Sequence, residues 1–281
     1  SVLRRNSVGM HLLRAAAAIT IVILSASQSR GMALSSSTRT AGLHVPNAVV
    51  IFCHGSGDTG EGVKSYVESV APRKSLALLK EAGIEFEFPS AKIRPYRLAG
   101  GYPSSVWFDR YVGMEPTNPE DTASVESSAA QLNKLIDDLV ERGVPAHKIA
   151  LGGFSMGGGI AIQAAARSHH RLGAIFALSS YLCNDSWVWS ELKRAQQQCD
   201  NIGSDPSNNI HEKSTLLSTP IYMAHGQADD FVLPQWGENT NNRLKDLGAN
   251  VQPFLHVPRA SHEMTSSELE HIFGVLLAKL K

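Results

Sequence analysis

Cysteine, long apolar runs and an excess of charge of either sign are what this sequence lacks. Three cysteines in 281 residues, Cys53, Cys183 and Cys199, are too few and too scattered for a disulfide framework or a zinc ribbon. They read as reduced thiols of an intracellular protein. No apolar run approaches the roughly 20 residues that cross a bilayer. That excludes an integral membrane segment and leaves only transient contact with a membrane surface. The 26 basic and 26 acidic side chains give a formal net charge of zero, so no nucleic-acid partner is expected, since that would need a basic face. The body holds no repeat or low-complexity block, which excludes a solenoid. H-E-x-x-H, C-x-x-C and acid clusters at metal-ligand spacing are missing too, and His262-Glu263 lacks the second histidine of a zinc motif. Neither a metal nor a cofactor is expected. What remains is a 43% hydrophobic chain, enough for a sizeable core.

The zero net charge hides an asymmetry. Residues 1–57 hold Arg4, Arg5, Arg14, Arg30 and Arg39 and no acid, leaving 21 basic against 26 acidic side chains in the rest. Ala15 to Ala26 (AAAAITIVILSA) is an apolar run behind Arg14, the layout of a signal-peptide core or an Arg- and Ser-rich transit peptide. Met10 and Met32 are both possible starts. A start at Met32 leaves no targeting segment and agrees with the unpaired thiols and a cytoplasmic location. The alternative is an organellar or secreted protein, with residues 10–31 as the address. Either way, residues 1–46 read as a leader and residues 47–281 as one domain.

From Asn47 onward, short apolar runs alternate with amphipathic stretches. Ala48 to Cys53, Ile84 to Phe88, Lys148 to Gly152, Ala174 to Leu178, Pro220 to Ala224 and Val251 to Val257 read as strands. Their continuous apolar character suits strands buried on both faces. One helical stretch is expected between the first two strands, ending near Gly83. Further helices are expected over Glu120–Arg142, Met156–Arg167, Gln235–Leu247 and Ser266–Leu280. Arg94 to Val112, with five aromatics, Gly100-Gly101 and Pro103, reads as a long irregular loop. Gln196 to Ser218 reads as a polar surface excursion. Strand-helix alternation throughout implies an α/β fold, a doubly wound, mostly parallel sheet with helices on both faces.

Gly153-Phe154-Ser155-Met156-Gly157 lies between the strand KIALG and the helix GGIAIQAAAR. That context makes G-x-S-x-G a nucleophile elbow, in which a sharp turn lifts the serine above the sheet's carboxyl edge and small flanking residues let the chain pass. A serine hydroxyl needs a base, and the base needs an orienting carboxylate, in the chain order Ser, Asp/Glu, His. The next suitable strand end carries Asp229 and Asp230, which spacing alone does not separate. Of eleven histidines, only His262 lies in the loop after the last strand. His54 and His225 read as structural histidines at strand ends, and His169 and His170 as solvated residues at a helix end. Two N–H donors for a developing oxyanion are expected from Met156, after the nucleophile, and from Ser56, in the Gly-rich loop His54-Gly55-Ser56-Gly57. That loop is followed by no G-K-[ST], so it is not a P-loop.

HGSGDTGEG at 54–62, VWFDR at 106–110, LGGFSMGGG at 151–159, ALSSYL at 177–182, HGQADDFV at 225–232 and ASHEM at 260–264 together resemble the acyl-protein thioesterase/lysophospholipase family. They are closer to its lysophospholipase-like branch than to the thioesterases proper. The resemblance runs from Ala48 to the carboxyl end and implies an α/β-hydrolase fold. It implies Asp229, the fifth residue of H-G-x-x-D, as the acid, and Trp107 as a wall of the acyl site. Two departures stand out. Met156 replaces the glutamine of the thioesterases proper, and Gln196 to Ser218 is longer than the family's segment there.

The expected function is a serine hydrolase cleaving carboxylic ester or thioester bonds through an acyl-enzyme, with an acyl ester or S-acylated protein as substrate. A small-molecule short-chain carboxylesterase with no protein substrate is the enzymatic rival. A non-catalytic acyl-lipid binder on the same scaffold is the rival from another class.

Overall fold

The computed structural model of the chain describes residues 44–201 and 214–281, except for the side chains of 199–201. Residues 1–43 of the segment expected as a leader, the Cys199 thiol and the middle of the polar stretch 196–218 lie outside the described residues. Six strands form one sheet: β1 (Ala48–Cys53), β2 (Ile84–Glu87), β5 (Ile149–Phe154), β6 (Ala174–Leu178), β7 (Ile221–Gly226) and β8 (Leu255–Val257), in the order β2-β1-β5-β6-β7-β8. Every neighbouring pair is parallel. The connections include α1 (Gly60–Val70), α2 (Arg73–Glu81), α3 (Thr122–Glu141), α4 (Met156–Ala166), α5 (Trp187–Asn201) and α6 (Pro234–Asp246); α7 (Ser266–Leu280) closes the chain.

The two-residue period of a strand divides the core. From β1, Ala48, Val50 and Phe52 enter one apolar cluster, together with Val63, Val67, Leu79, Leu269, Ile272, Phe273 and Leu276 of α1, α2 and α7. Val49, Ile51 and Cys53 enter the other, together with Leu132, Ile136, Ile160, Val188, Leu192 and Leu244 of α3 to α6. Helices therefore cover both faces, which explains why the central strands are apolar throughout rather than alternating. This is the α/β-hydrolase architecture that the sequence implied.

Four local readings are revised. The single helix expected before Gly83 is two, α1 and α2, separated at Ala71-Pro72, because proline carries no N–H for a continuing helix. Arg94 to Val112 is not irregular at its start. It contains a two-stranded antiparallel ribbon, β3 (Ile93–Tyr96) with β4 (Tyr102–Ser105), in which Pro95 faces Pro103. Prolines are tolerated there because no third strand needs their missing donors. The reversal uses Gly100 (φ 67°) and Gly101 (φ 83°), conformations costly to other residues. The polar stretch at 196 begins inside α5, whose Val188, Leu192 and Ala195 are buried at helical spacing. Finally, the last strand is short: Val251 makes an isolated bridge to Ile221, and continuous pairing resumes only at Leu255, beyond Pro253.

Candidate active site

The site lies at the carboxyl ends of the strands, where open parallel sheets place their ligands. Ser155 follows β5 directly, with φ 55° and ψ −124°, a strained backbone for any residue with a Cβ. Leu178 at the end of β6 steadies the turn by accepting the Ser155 amide at 2.8 Å. The flanking glycines are required by space. A Cβ on Gly153 would sit 2.3 Å from the Cys53 carbonyl oxygen, and one on Gly157 would sit 2.2 Å from the same atom. This close approach of β1 to the elbow brings the 54–57 loop beside the serine: a Cβ on Gly55 would be 3.5 Å from that of Ser155.

Three side chains from three loops meet here. His262 Nε2 lies 3.0 Å from Ser155 Oγ, and its Nδ1 lies 2.7 Å from Asp229 Oδ2. A carboxylate only accepts, so His262 Nδ1 carries the proton and the Nε2 lone pair faces the serine hydroxyl, which donates to it. Asp229 is 3% exposed, whereas Asp230 is exposed and lies outside this chain of hydrogen bonds. Asp229 Oδ1 accepts from the amides of Phe231 at 3.0 Å and Val232 at 2.8 Å. Burial alone would raise its pKa. The hydrogen bonds from His225, His262 and the Val232 amide outweigh burial and hold the carboxyl far below the usual carboxylate range.

The two histidines read as structural at strand ends each hold part of the site's backbone. His225 is buried, and its Nε2–H donates to the Val232 carbonyl at 2.8 Å while lying 3.3 Å from Asp229 Oδ2. It thus anchors the chain on both sides of the acid. His54 is wholly buried. Its Nδ1–H donates to the Gly55 carbonyl at 2.7 Å, and its Nε2 accepts the Ala91 amide at 3.0 Å. Burial lowers its pKa, against the raising effects of the Gly55 bond and Asp58, which agrees with a neutral ring. In a trans peptide C=O and N–H point in opposite directions, so fixing the Gly55 carbonyl also fixes the direction of the Ser56 N–H. The available signal was positional: both histidines stand directly before a glycine at the carboxyl edge of this sheet.

Trp107, read as a wall of the acyl site, has no exposed surface, and its indole N–H donates to the His54 carbonyl at 2.9 Å. The Gly57 amide donates to Ser105 of β4 at 2.9 Å. The aromatic segment therefore braces the 54–57 loop. Among the described residues, neither the Ser56 amide nor the Met156 amide donates to a protein acceptor, and Met156 N–H is a first-turn amide of α4, where such donors point out of the helix. The His262 ring lies between Phe154 (centroids 4.8 Å apart) and the half-exposed Phe231 (5.1 Å). Both rings are thus in contact with the imidazole that faces Ser155.

Fold and site together define the class, a serine hydrolase of α/β-hydrolase architecture. Comparison with known proteins narrows it. Residues 40–199 match the family model described as phospholipase/carboxylesterase. Over 249 residues the chain is 32% identical to lysophospholipase-like protein 1 of Mus musculus, covering 85% of this chain and 93% of that protein. It is 33% identical over 237 residues to acyl-protein thioesterase 1 of Neurospora crassa, covering 83% and 87%. Among solved structures, Zea mays acyl-protein thioesterase 2 is similar at a TM-score of 0.63 and 26% identity, over 87% of this chain and 97% of that one. Arabidopsis thaliana SOBER1 matches in fold, with a TM-score of 0.68 at 22% identity over 83% and 99%. The chain belongs to the phospholipase/carboxylesterase family.

Proposed function

We propose that this enzyme hydrolyses acyl esters and thioesters through an acyl-enzyme on Ser155. The observation that carries the reading is the unbroken chain Ser155 Oγ–His262–Asp229, with contacts of 3.0 and 2.7 Å. Ser155 Oγ attacks the acyl carbonyl carbon while its proton passes to His262 Nε2. The carbonyl oxygen takes the negative charge, and the amides of Ser56 and Met156 hold it. As the tetrahedral intermediate collapses, His262 returns the proton to the leaving oxygen or sulfur, and the acyl group stays on Ser155. Water, giving its proton to His262, then attacks the acyl carbonyl, and His262 passes that proton to Ser155 Oγ as the carboxylic acid leaves. Asp229 keeps its charge throughout and stabilises the imidazolium. No step calls for a metal or cofactor.

The relatives named as acyl-protein thioesterase and lysophospholipase-like protein support an acyl ester or an S-acylated protein as substrate. Trp107, in this reading, acts through the His54 carbonyl rather than on the acyl chain. Phe154 and Phe231 offer the first apolar contact. Residues 47–281 are read as the catalytic domain. A cytoplasmic location belongs to the same proposal and is supported by the buried, unpaired thiols of Cys53 and Cys183. Among the described residues no helix is long and apolar enough to cross a membrane; transient contact with a membrane surface belongs to the same proposal.

The test is labelling of the purified chain with a fluorophosphonate probe, wild type beside Ser155→Ala, followed by ester and thioester substrates of increasing acyl length. Labelling of the wild type alone is expected, with turnover of both bond types. Labelling that persists in Ser155→Ala removes the serine from its role. No labelling of the folded wild type moves an acyl-lipid binder ahead. Turnover of short esters without acylated peptides would make the protein a small-molecule carboxylesterase.

A further inference from the structure

Away from the active site, the fold assembles a second group of chemistry-bearing side chains from distant parts of the sequence. Asp137 lies on α3, and His169 and His170 lie in the turn after α4. His170 Nε2 is 3.0 Å and His169 Nε2 3.7 Å from the same oxygen, Asp137 Oδ1. The ligand atoms of all three lie within 4.8 Å of one another. A tetrahedral ion with bonds of about 2.0–2.1 Å holds adjacent ligand atoms roughly 3.3 Å apart. The two separations from Asp137 Oδ1, 3.0 and 3.7 Å, bracket that value, and the third lies within the 4.8 Å that bounds the group.

Among the described residues, the ion-pair and hydrogen-bond partners of Asp137 are these two imidazoles, with no lysine or arginine. The next acid, Asp138, by contrast holds Lys134 at 2.8 and 2.9 Å. The turn is also fixed. The His170 amide donates to Ser168 Oγ at 3.1 Å, and the Gly173 amide donates to Ile149 of β5 at 2.8 Å. His170 is 20% exposed and His169 is 74% exposed, so the fourth position opens to water. Two imidazoles and one carboxylate, with no thiolate, suit Zn²⁺ and its borderline neighbours. Ca²⁺ and Mg²⁺ call for oxygen ligands throughout.

We propose that Asp137, His169 and His170 form a surface site for Zn²⁺ that ties α3 to the carboxyl end of α4, the helix that begins one residue after Ser155. The site takes no part in acyl transfer, and the proposal stands whether or not the reading of the reaction does.

The test uses the full chain, stripped with a chelator and titrated with Co²⁺ as a visible-absorption probe, with Zn²⁺ as competitor. Because the chain has 11 histidines, wild type is compared with Asp137→Asn, His169→Gln and His170→Gln, and with His256→Gln as a distant control. One saturable site is expected, weakened at least about tenfold by each of the three substitutions and unchanged in the control. Zn²⁺ should raise the Tm of wild type but not of Asp137→Asn. All variants should keep wild-type circular dichroism and esterase activity, since none of these residues lies at the active site. The absence of saturable binding, or binding unaltered in Asp137→Asn and His170→Gln, would overturn the proposal and leave the group as a surface ion pair.

Discussion

Replacing Asp229 by asparagine changes one heavy atom and should disable the base without touching it. The carboxylate has two distinct ends. Oδ1 faces two backbone donors, the amides of Phe231 and Val232, and Oδ2 faces two imidazole donors, from His262 and His225. Asparagine must choose which end becomes NH₂. Backbone amides cannot tautomerise, so the carbonyl oxygen stays toward them and the NH₂ turns to the histidines. His225 keeps its bond to the Val232 carbonyl. His262 has no such alternative. It must shift its proton to Nε2 so that Nδ1 can accept from the amide, and Nε2–H then donates toward Ser155 Oγ. The serine loses its proton acceptor while every heavy atom stays in place. The same inversion in a serine protease lowers kcat about 10⁴-fold, equivalent to about 5 kcal/mol of transition-state stabilisation.

The perturbation also has a stability signature with a defined sign. The folded-state pKa of Asp229 is depressed, so its contribution is present above the unfolded carboxyl value, near 3.9. It is lost as pH falls from there toward the folded value. Loss of charge-assisted bonds costs about 1.5–3 kcal/mol, so the wild type should exceed Asp229→Asn by that amount at neutral pH, and the gap should close under acid conditions. Hydrolysis of a chromogenic short-chain ester gives kcat, and urea unfolding across a pH series gives stability. A folded variant with kcat within tenfold of wild type would refute the assignment of Asp229. A stability gap independent of pH would refute the charge argument alone.

Two further predictions follow from the same geometry. Trp107→Phe keeps a ring in the core but removes the N–H that the His54 carbonyl accepts; stability should fall by about 1–3 kcal/mol, and kcat should fall with little change in KM, whereas a raised KM at unchanged kcat would make Trp107 an acyl contact. Glu268, buried in α7, has its pKa pushed up to about 7 by burial, against the opposing Thr265 amide bond; an acid with a raised folded pKa loses stability as pH climbs from its unfolded value, near 4.3, through that range. Tm measured from pH 4.5 to 8 should therefore decline less steeply in Glu268→Gln, which keeps the acceptor for the Thr265 amide, and parallel curves would remove Glu268 as the cause.

The parts of this molecule that could be read in its sequence are those whose causes are local. A strand covered on both faces must be apolar at every position, and Ala48–Cys53 and Ala174–Leu178 show that directly. The elbow is legible because G-x-S-x-G is a contiguous motif between a strand pattern and a helix pattern, although the atom that crowds Gly153 and Gly157, the Cys53 carbonyl oxygen, comes from β1. His262, which the fold places against Ser155, could be singled out because chain order and the carboxyl edge of the sheet leave few positions for a partner of the serine.

What escaped reading depends on pairings and backbone directions that only the finished fold settles, even between residues close in sequence. Pro95 and Pro103 argue against strands until it is known that they face each other in a ribbon with no third strand to supply. His54 and His225 resemble any other histidine at a strand end, because their roles rest on the carbonyls of Gly55 and Val232, and those directions are settled only by the finished fold. Trp107 shows the same limit in its sharpest form. The family resemblance implies contact with substrate, yet its indole N–H donates to the backbone of the loop that carries Ser56. A buried residue can brace the loop proposed to hold the oxyanion while presenting no surface of its own, and a family resemblance does not distinguish that from a wall of the acyl site.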